Sequence, residues 1–201
     1  MSKEHLYNLY KKIWITRGCR FQAHKRLNAS DNWSTWTVNI LTVYIISISI
    51  LSLEPPRSFE FLEQKVSSIF LICISILILV ISILEASKNY KLKADIMHRC
   101  GKELSSIYNE VNLIKDGIVD ATVNDRLIDL TLKYQQILDK YDDNHIEMDY
   151  EMFKVDNFKD FNLRHIDTLG LRTKYFIRTK GFYLILIVVP LIVFIFLALT
   201  H

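Results

Sequence analysis

Residues able to do chemistry are few and scattered along this sequence. Asp95, His98 and Lys102 share one face of a helical stretch, but one imidazole and one carboxylate do not make a metal site. They read better as a solvated or partner-facing surface, a candidate for coupling a signal. His145, Glu147, Asp149 and Glu151 alternate in a pattern that can gather a cation. That stretch lacks the glycine and the spacing of a calcium loop, so a solvated acidic loop is the better reading. The glycines stand alone at 18, 101, 117, 170 and 181, which leaves no phosphate or dinucleotide loop. No serine sits in a nucleophile elbow. The residues supply no catalytic site and call for no metal or cofactor; the chain reads as a protein other than an enzyme.

The more informative polar residues lie inside apolar runs. Thr35, Asn39, Thr42 and Ser49 fall within about 80° of one another at 100° per residue. Ser68, Ser75 and Ser82 recur at every seventh position. Such stripes either line an aqueous path or let helices approach closely and hydrogen-bond across an interface. Both readings stand. Asn39 is the most telling of these residues, because an amide in lipid needs a partner or water.

The runs that carry these stripes are 36–53 and 66–84; a third is 182–199, and none of the three holds an Asp, Glu, Lys or Arg. One central charge costs about 2.5–3.5 kcal/mol, against roughly 0.3–0.6 gained per Leu, Ile, Phe or Val. Charge-free runs of this length are membrane spans. The 201 residues are 50% hydrophobic and 23% charged, with the two classes segregated along the chain. Lys and Arg cluster before Trp33, after the second run and ahead of the third. Positive-inside reasoning then places the N-terminus and the 85–180 segment in the cytoplasm, with the 54–65 loop and the C-terminus outside. Three cysteines, at 19, 73 and 100, read as reduced thiols rather than a disulfide framework. The polar first 35 residues do not resemble a cleavable signal peptide.

The chain divides into a basic amphipathic helix (1–34), a transmembrane hairpin (35–84), a cytosolic helical region (85–180) and a third span (181–201). In the first segment, Arg17, Arg20, Lys25 and Arg26 accompany Leu6, Leu9, Ile13 and Leu27 at helical spacing, and Trp33 and Trp36 suit an aromatic belt. These are candidate membrane-interface residues, with lipid headgroups a more economical partner than nucleic acid. Packing of the same apolar face against cytosolic helices is the competing reading. Residues 28–32 look like a turn. The second span continues without Pro into Leu92, Ile96, Cys100, Leu104, Ile107, Val111 and Ile114, predicting one nearly continuous helix over 66–114, about 70 Å long. A break at Lys115-Asp116-Gly117 and a helix capped by Asn124 then predict an antiparallel cytosolic hairpin. Residues 142–159 read as loop with at most a turn of helix, and 161–180 as a short helix. Pro190 should kink the third span.

The order of these features resembles a known family. A basic helix carrying Lys12-Ile13-Trp14-Ile15-Thr16-Arg17 and Arg20-Phe21-Gln22-Ala23-His24-Lys25-Arg26-Leu27 leads into a two-span hairpin. The second span then runs through Glu85-Ala86-Ser87-Lys88-Asn89-Tyr90 to His98-Arg99-Cys100-Gly101-Lys102-Glu103-Leu104. This is similar to the SLATT domain (SMODS and SLOG-associating two-transmembrane effector), in the variant with an added C-terminal span. The resemblance implies an all-α integral protein of the bacterial inner membrane. It also implies a homo-oligomeric, pore-forming effector of antiviral defence and abortive infection. The partners it implies are a reverse transcriptase, a nucleotide synthetase or a nucleotide sensor. A non-conducting anchor that recruits such an enzyme is the alternative. No catalytic residue transfers with the resemblance.

Overall fold

The computed structural model describes residues 2–53, 64–116 and 123–200, and no strand occurs among them. Seven α-helices follow in order: α1 (Ser2–Leu53), α2 (Gln64–Ser87), α3 (Tyr90–Asp116), α4 (Val123–Lys140), α5 (Glu147–Asp156), α6 (His165–Phe176) and α7 (Phe182–Thr200). A π-helical segment, Ile177–Gly181, joins the last two without a loop. The protein is all-α, and three of its helical stretches are long and apolar enough to cross a membrane: Glu4–Leu53, Ser68–Lys115 and His165–Phe196. Most of the 54–65 loop and Gly117 lie outside the described residues.

Two compact units partition the chain. One, the helical body, comprises Met1–Asn28 with Tyr90–Tyr175; the other, the span unit, comprises Ala29–Asn89 with Phe176–His201. In the body, α3 packs against α4. Glu103, midway along α3, holds Lys140 at the end of α4 and Tyr141 just past it, at 2.5 and 2.8 Å. Glu110, further along α3, faces Lys133, earlier in α4. The pair is therefore antiparallel. The early part of α1 completes this core: Leu6, Leu9 and Ile13 are buried with Cys100, Leu104, Ile107, Val111, Leu130 and Tyr134. Of the two readings of that amphipathic stretch, packing against the helical body is the one realised.

The opposite face of α1 receives α5. Trp14 meets Phe153 edge-on at 4.9 Å and stacks on Phe161 at 5.9 Å. A side chain at Gly18 would run into the Phe153 ring. Gly101 of α3 similarly lies against Phe21, where an added Cβ would come within 3.0 Å of the ring. These glycines are contact points between helices.

Four local expectations are corrected. Residues 28–32 are not a turn; α1 passes through them, since neither Gly nor Pro occurs between 19 and 53, and the Asn28 amide bonds back to His24 at 3.2 Å. The helix expected over 66–114 is interrupted at Lys88-Asn89. There Lys88 N–H reaches the Glu85 carbonyl at 3.1 Å, a tightened final turn, and Asn89 takes φ of 50°, a left-handed conformation that Asn tolerates. Asn124 lies inside α4, which already begins at Val123. The stretch 142–159 contains the ten-residue α5, because its apolar side chains Met148, Phe153 and Val155 have a core to enter.

Adding a methyl at Gly18 should lower the thermal midpoint by overpacking, at a cost of about 1–3 kcal/mol. Gly170→Ala in α6, with open space around it, should be neutral or stabilising by up to about 1 kcal/mol. Thermal unfolding of both variants in detergent checks the contrast.

Candidate functional site

The span unit holds the polar stripes. Thr35, Asn39, Thr42, Ser68 and Ser75 are exposed in the single chain, and Ser49 and Ser82 are half-buried. Thr35, Thr42, Ser75 and Ser82 each donate to the carbonyl four residues earlier, at 3.0, 2.8, 2.7 and 2.8 Å. A hydroxyl satisfied in this way tolerates lipid. Asn39 has no such recourse, and its amide finds no partner among the described residues.

One cavity of the same unit has an apolar lining. Leu41, Ile48, Phe70, Ile74, Pro190 and Phe194 help line this cavity of about 150 Å³ among α1, α2 and α7. None of the seven stripe residues lines it. Tyr44 and Ser47 also belong to the lining, whose accessible surface is almost wholly apolar and a poor host for water. At the end of α2, Glu85 is buried; Tyr183 of α7 donates to it at 2.7 Å, Ser34 of α1 hydrogen-bonds it, and Lys88 pairs with it. Sequence reading gave no role to Glu85, whose partners lie 51 and 98 positions away. In the same unit, Lys180 lies 5.5 Å from the Trp33 ring centre, and Trp36 is exposed. The hydroxyl of Thr179, in the π-helical segment, is buried without a hydrogen bond.

In the helical body, the basic residues of α1 are occupied by protein. Arg17 stacks over Tyr108 at 3.8 Å. Lys25 pairs loosely with Asp156 at 3.7 Å, both exposed. Arg26 grips Asp149 with two hydrogen bonds, 2.7 and 3.0 Å long. Asp149 is fully buried and also accepts the Ile146 N–H at 2.9 Å, so the acid caps α5 and ties it to α1 together. Arg20 is buried beside it.

The solvated acidic loop expected at 145–151 is thus corrected. Asp149 is core, Glu151 pairs with Lys174 at 2.8 Å, and the Nδ1 of His145 is buried without a partner. No set of three His, Cys, Asp or Glu among the described residues can hold a metal. Asp95, His98 and Lys102 have different surroundings. Asp95 pairs with Arg99 at 2.7 Å, Lys102 is exposed, and His98 turns inward, its ring 4.7 Å from that of His24. All three cysteines are free thiols. Burial pushes the Cys19 thiol up to about 12, with Asp149 adding to the effect.

The amino-acid pattern of one family, the SMODS and SLOG-associating 2TM effector domain family 5, matches residues 2–196. The chain belongs to this family. No curated protein and no solved structure matches it. Membership in this SLATT family makes the protein a membrane effector of conflict systems. The matched region includes most of α7, a third apolar helix beyond the two spans that the family's description counts.

Two tests follow from the SLATT body. Asp149→Ala strands Arg26 and should cost about 3–5 kcal/mol, whereas Glu151→Ala, at a more exposed pair, should cost at most about 1 kcal/mol. Both are read from thermal midpoints. The second test concerns pH. His98 and His145 are both held below the ordinary imidazole value. Desolvation acts first in each; His24 and Lys102 add to it at His98 against Asp95, and Arg20 adds to it at His145 against Asp149. The folded state therefore binds fewer protons than the unfolded one. Their contribution is full above the unfolded value of 6.5 and is lost as pH falls below it. Unfolding midpoints should drop from about pH 7 to pH 5, and His145→Gln should flatten that drop.

Proposed function

We propose that copies of this SLATT effector assemble in the bilayer through the polar face of α1 and α2, forming or gating a pore. The observation that carries this reading is Asn39. It sits inside a charge-free span, exposed and without a partner among the described residues. An amide facing hydrocarbon is costly, and pairing with the same residue of a neighbouring copy or with water removes the cost. The apolar lining of the cavity among α1, α2 and α7 supports the same view, since that cavity offers no polar path within one copy.

In this reading the protein lies in the bacterial inner membrane, N-terminus cytoplasmic and C-terminus external, with the helical body receiving the signal of a cytosolic partner. A reverse transcriptase, a nucleotide synthetase or a nucleotide sensor is the class of partner that the resemblance implies. The element suited to passing that signal on is α1, which continues from the body into the span unit, whereas α2 and α3 are separated at Lys88-Asn89. The outcome is membrane disruption that arrests the infected cell. A non-conducting anchor is the second reading, and the hydroxyls satisfied within their own helices favour it.

Cysteine scanning on a Cys73→Ser background tests the assembly face. Asn39→Cys should cross-link between copies in membranes, and Ile192→Cys on the exposed face of α7 should not. Asn39→Leu should weaken self-association by about threefold to thirtyfold, the equivalent of an interhelical hydrogen bond of roughly 0.6–2 kcal/mol. With Ser75→Leu added, it should abolish dye release from liposomes. Intact cross-linking without dye release in any variant would favour the anchor.

A further inference from the structure

A buried positive charge in the helical body lacks a counter-charge. Arg20 has only 3% of its surface exposed. One of its terminal nitrogens donates to the Asp143 carbonyl and lies 3.3 Å from the Met97 sulfur; its Nε has no hydrogen-bond partner. Among the described residues no carboxylate pairs with it. Asp149, the buried acid of the same region, has one oxygen bound to Arg26 and the other shared by Arg26 and the Ile146 N–H. Both oxygens of that acid are thus taken, and neither is bonded to Arg20. Buried charges are normally paired, because an uncompensated one is costly to hold away from water.

Arg20 lines a cavity of about 560 Å³ with Thr16, Tyr134, Tyr141, Asn144 and His145. That volume suits a small molecule. Thr16 and Tyr134, both in its lining, hydrogen-bond through their hydroxyls at 3.0 Å, and the buried Nδ1 of His145 is a second unpartnered polar atom. Asp139 and Asp142 also line the cavity; both are exposed, and Asp139 already accepts from Gln135 at 3.0 Å.

We propose that this cavity binds a small ligand carrying a carboxylate or a phosphate, whose oxygens accept from Arg20 Nε–H and from the His145 ring in its Nδ1–H form. The ligand supplies the counter-charge that the chain leaves out. The two acids disfavour a polyanion and favour a ligand whose remainder donates hydrogen bonds, as an amino acid or a nucleobase does. The site is independent of the pore reading, because binding is measured without flux.

The test is thermal unfolding of the full-length protein in nanodiscs at constant ionic strength, with inorganic phosphate, acetate, glutamate or adenosine monophosphate added. At least one of these should raise the midpoint of the wild type, and comparison of the phosphate and carboxylate arms identifies the head group. Arg20→Met should weaken that ligand about tenfold to a hundredfold, the loss of a hydrogen bond from a charged donor, and His145→Phe should weaken it as well. If Arg20→Met does not fold, His145→Phe and Thr16→Val carry the comparison, and both must weaken binding. No shift with any of the four probes would overturn the proposal. So would a shift that the substitutions leave unchanged.

Discussion

The helical body depends on one buried ion pair. Asp149 accepts from two nitrogens of Arg26 and from the Ile146 N–H, so a single carboxylate satisfies a guanidinium and the start of α5 together. This fixes α5 against α1, which lays Phe153 on Gly18 and Trp14. It also sets the preceding segment, with the Asp143 carbonyl and His145, beside Arg20. Removing one member would leave the other charged and buried, which is why such a pair tolerates loss poorly even where its net contribution is small.

The span unit obeys the same rule in a different solvent. Hydrocarbon offers polar groups nothing, so each must be satisfied within the protein. Thr42, Ser75 and Ser82 bond back to their own helices, and Glu85 collects Ser34 of α1, Tyr183 of α7 and Lys88 just past α2. Asn39 finds no partner among the described residues. An amide has both donors and an acceptor and cannot be closed off by one carbonyl of the preceding turn. Its exposure gives the unit a polar face, and its position inside a span gives that face a reason to meet another copy.

Two of the groups with unmet hydrogen-bonding capacity, the Asn39 amide in the spans and the Arg20 Nε in the body, give an effector of this family a physical logic. Each is a polar demand that the described residues do not meet. A group held in this state biases the protein toward whatever meets it, a neighbouring copy for one and a small ligand for the other, by the free energy gained on pairing.

The sequence by itself determined the all-α class, the three apolar helices and the family. Each of these is written in local composition: charge-free runs, a helical period through Leu104, Ile107 and Val111, and a basic helix leading into the first span. The continuity of α1 through 28–32 was misread because Asn, Asp and Ser favour turns in isolation, and only packing shows that they stay helical here. The break at Asn89 and the helix at 147–156 escaped for the same kind of reason. Neither has a strong local signal, and α5 owes its stability to a core formed with α1. Tertiary structure alone decided which charges are buried. Arg26 and Asp149 are 123 residues apart, and nothing in their neighbours distinguishes them from Lys25 and Asp156, which stay at the surface. Periodicity assigns a residue to a face of its own helix, but its partner is chosen by how distant helices meet.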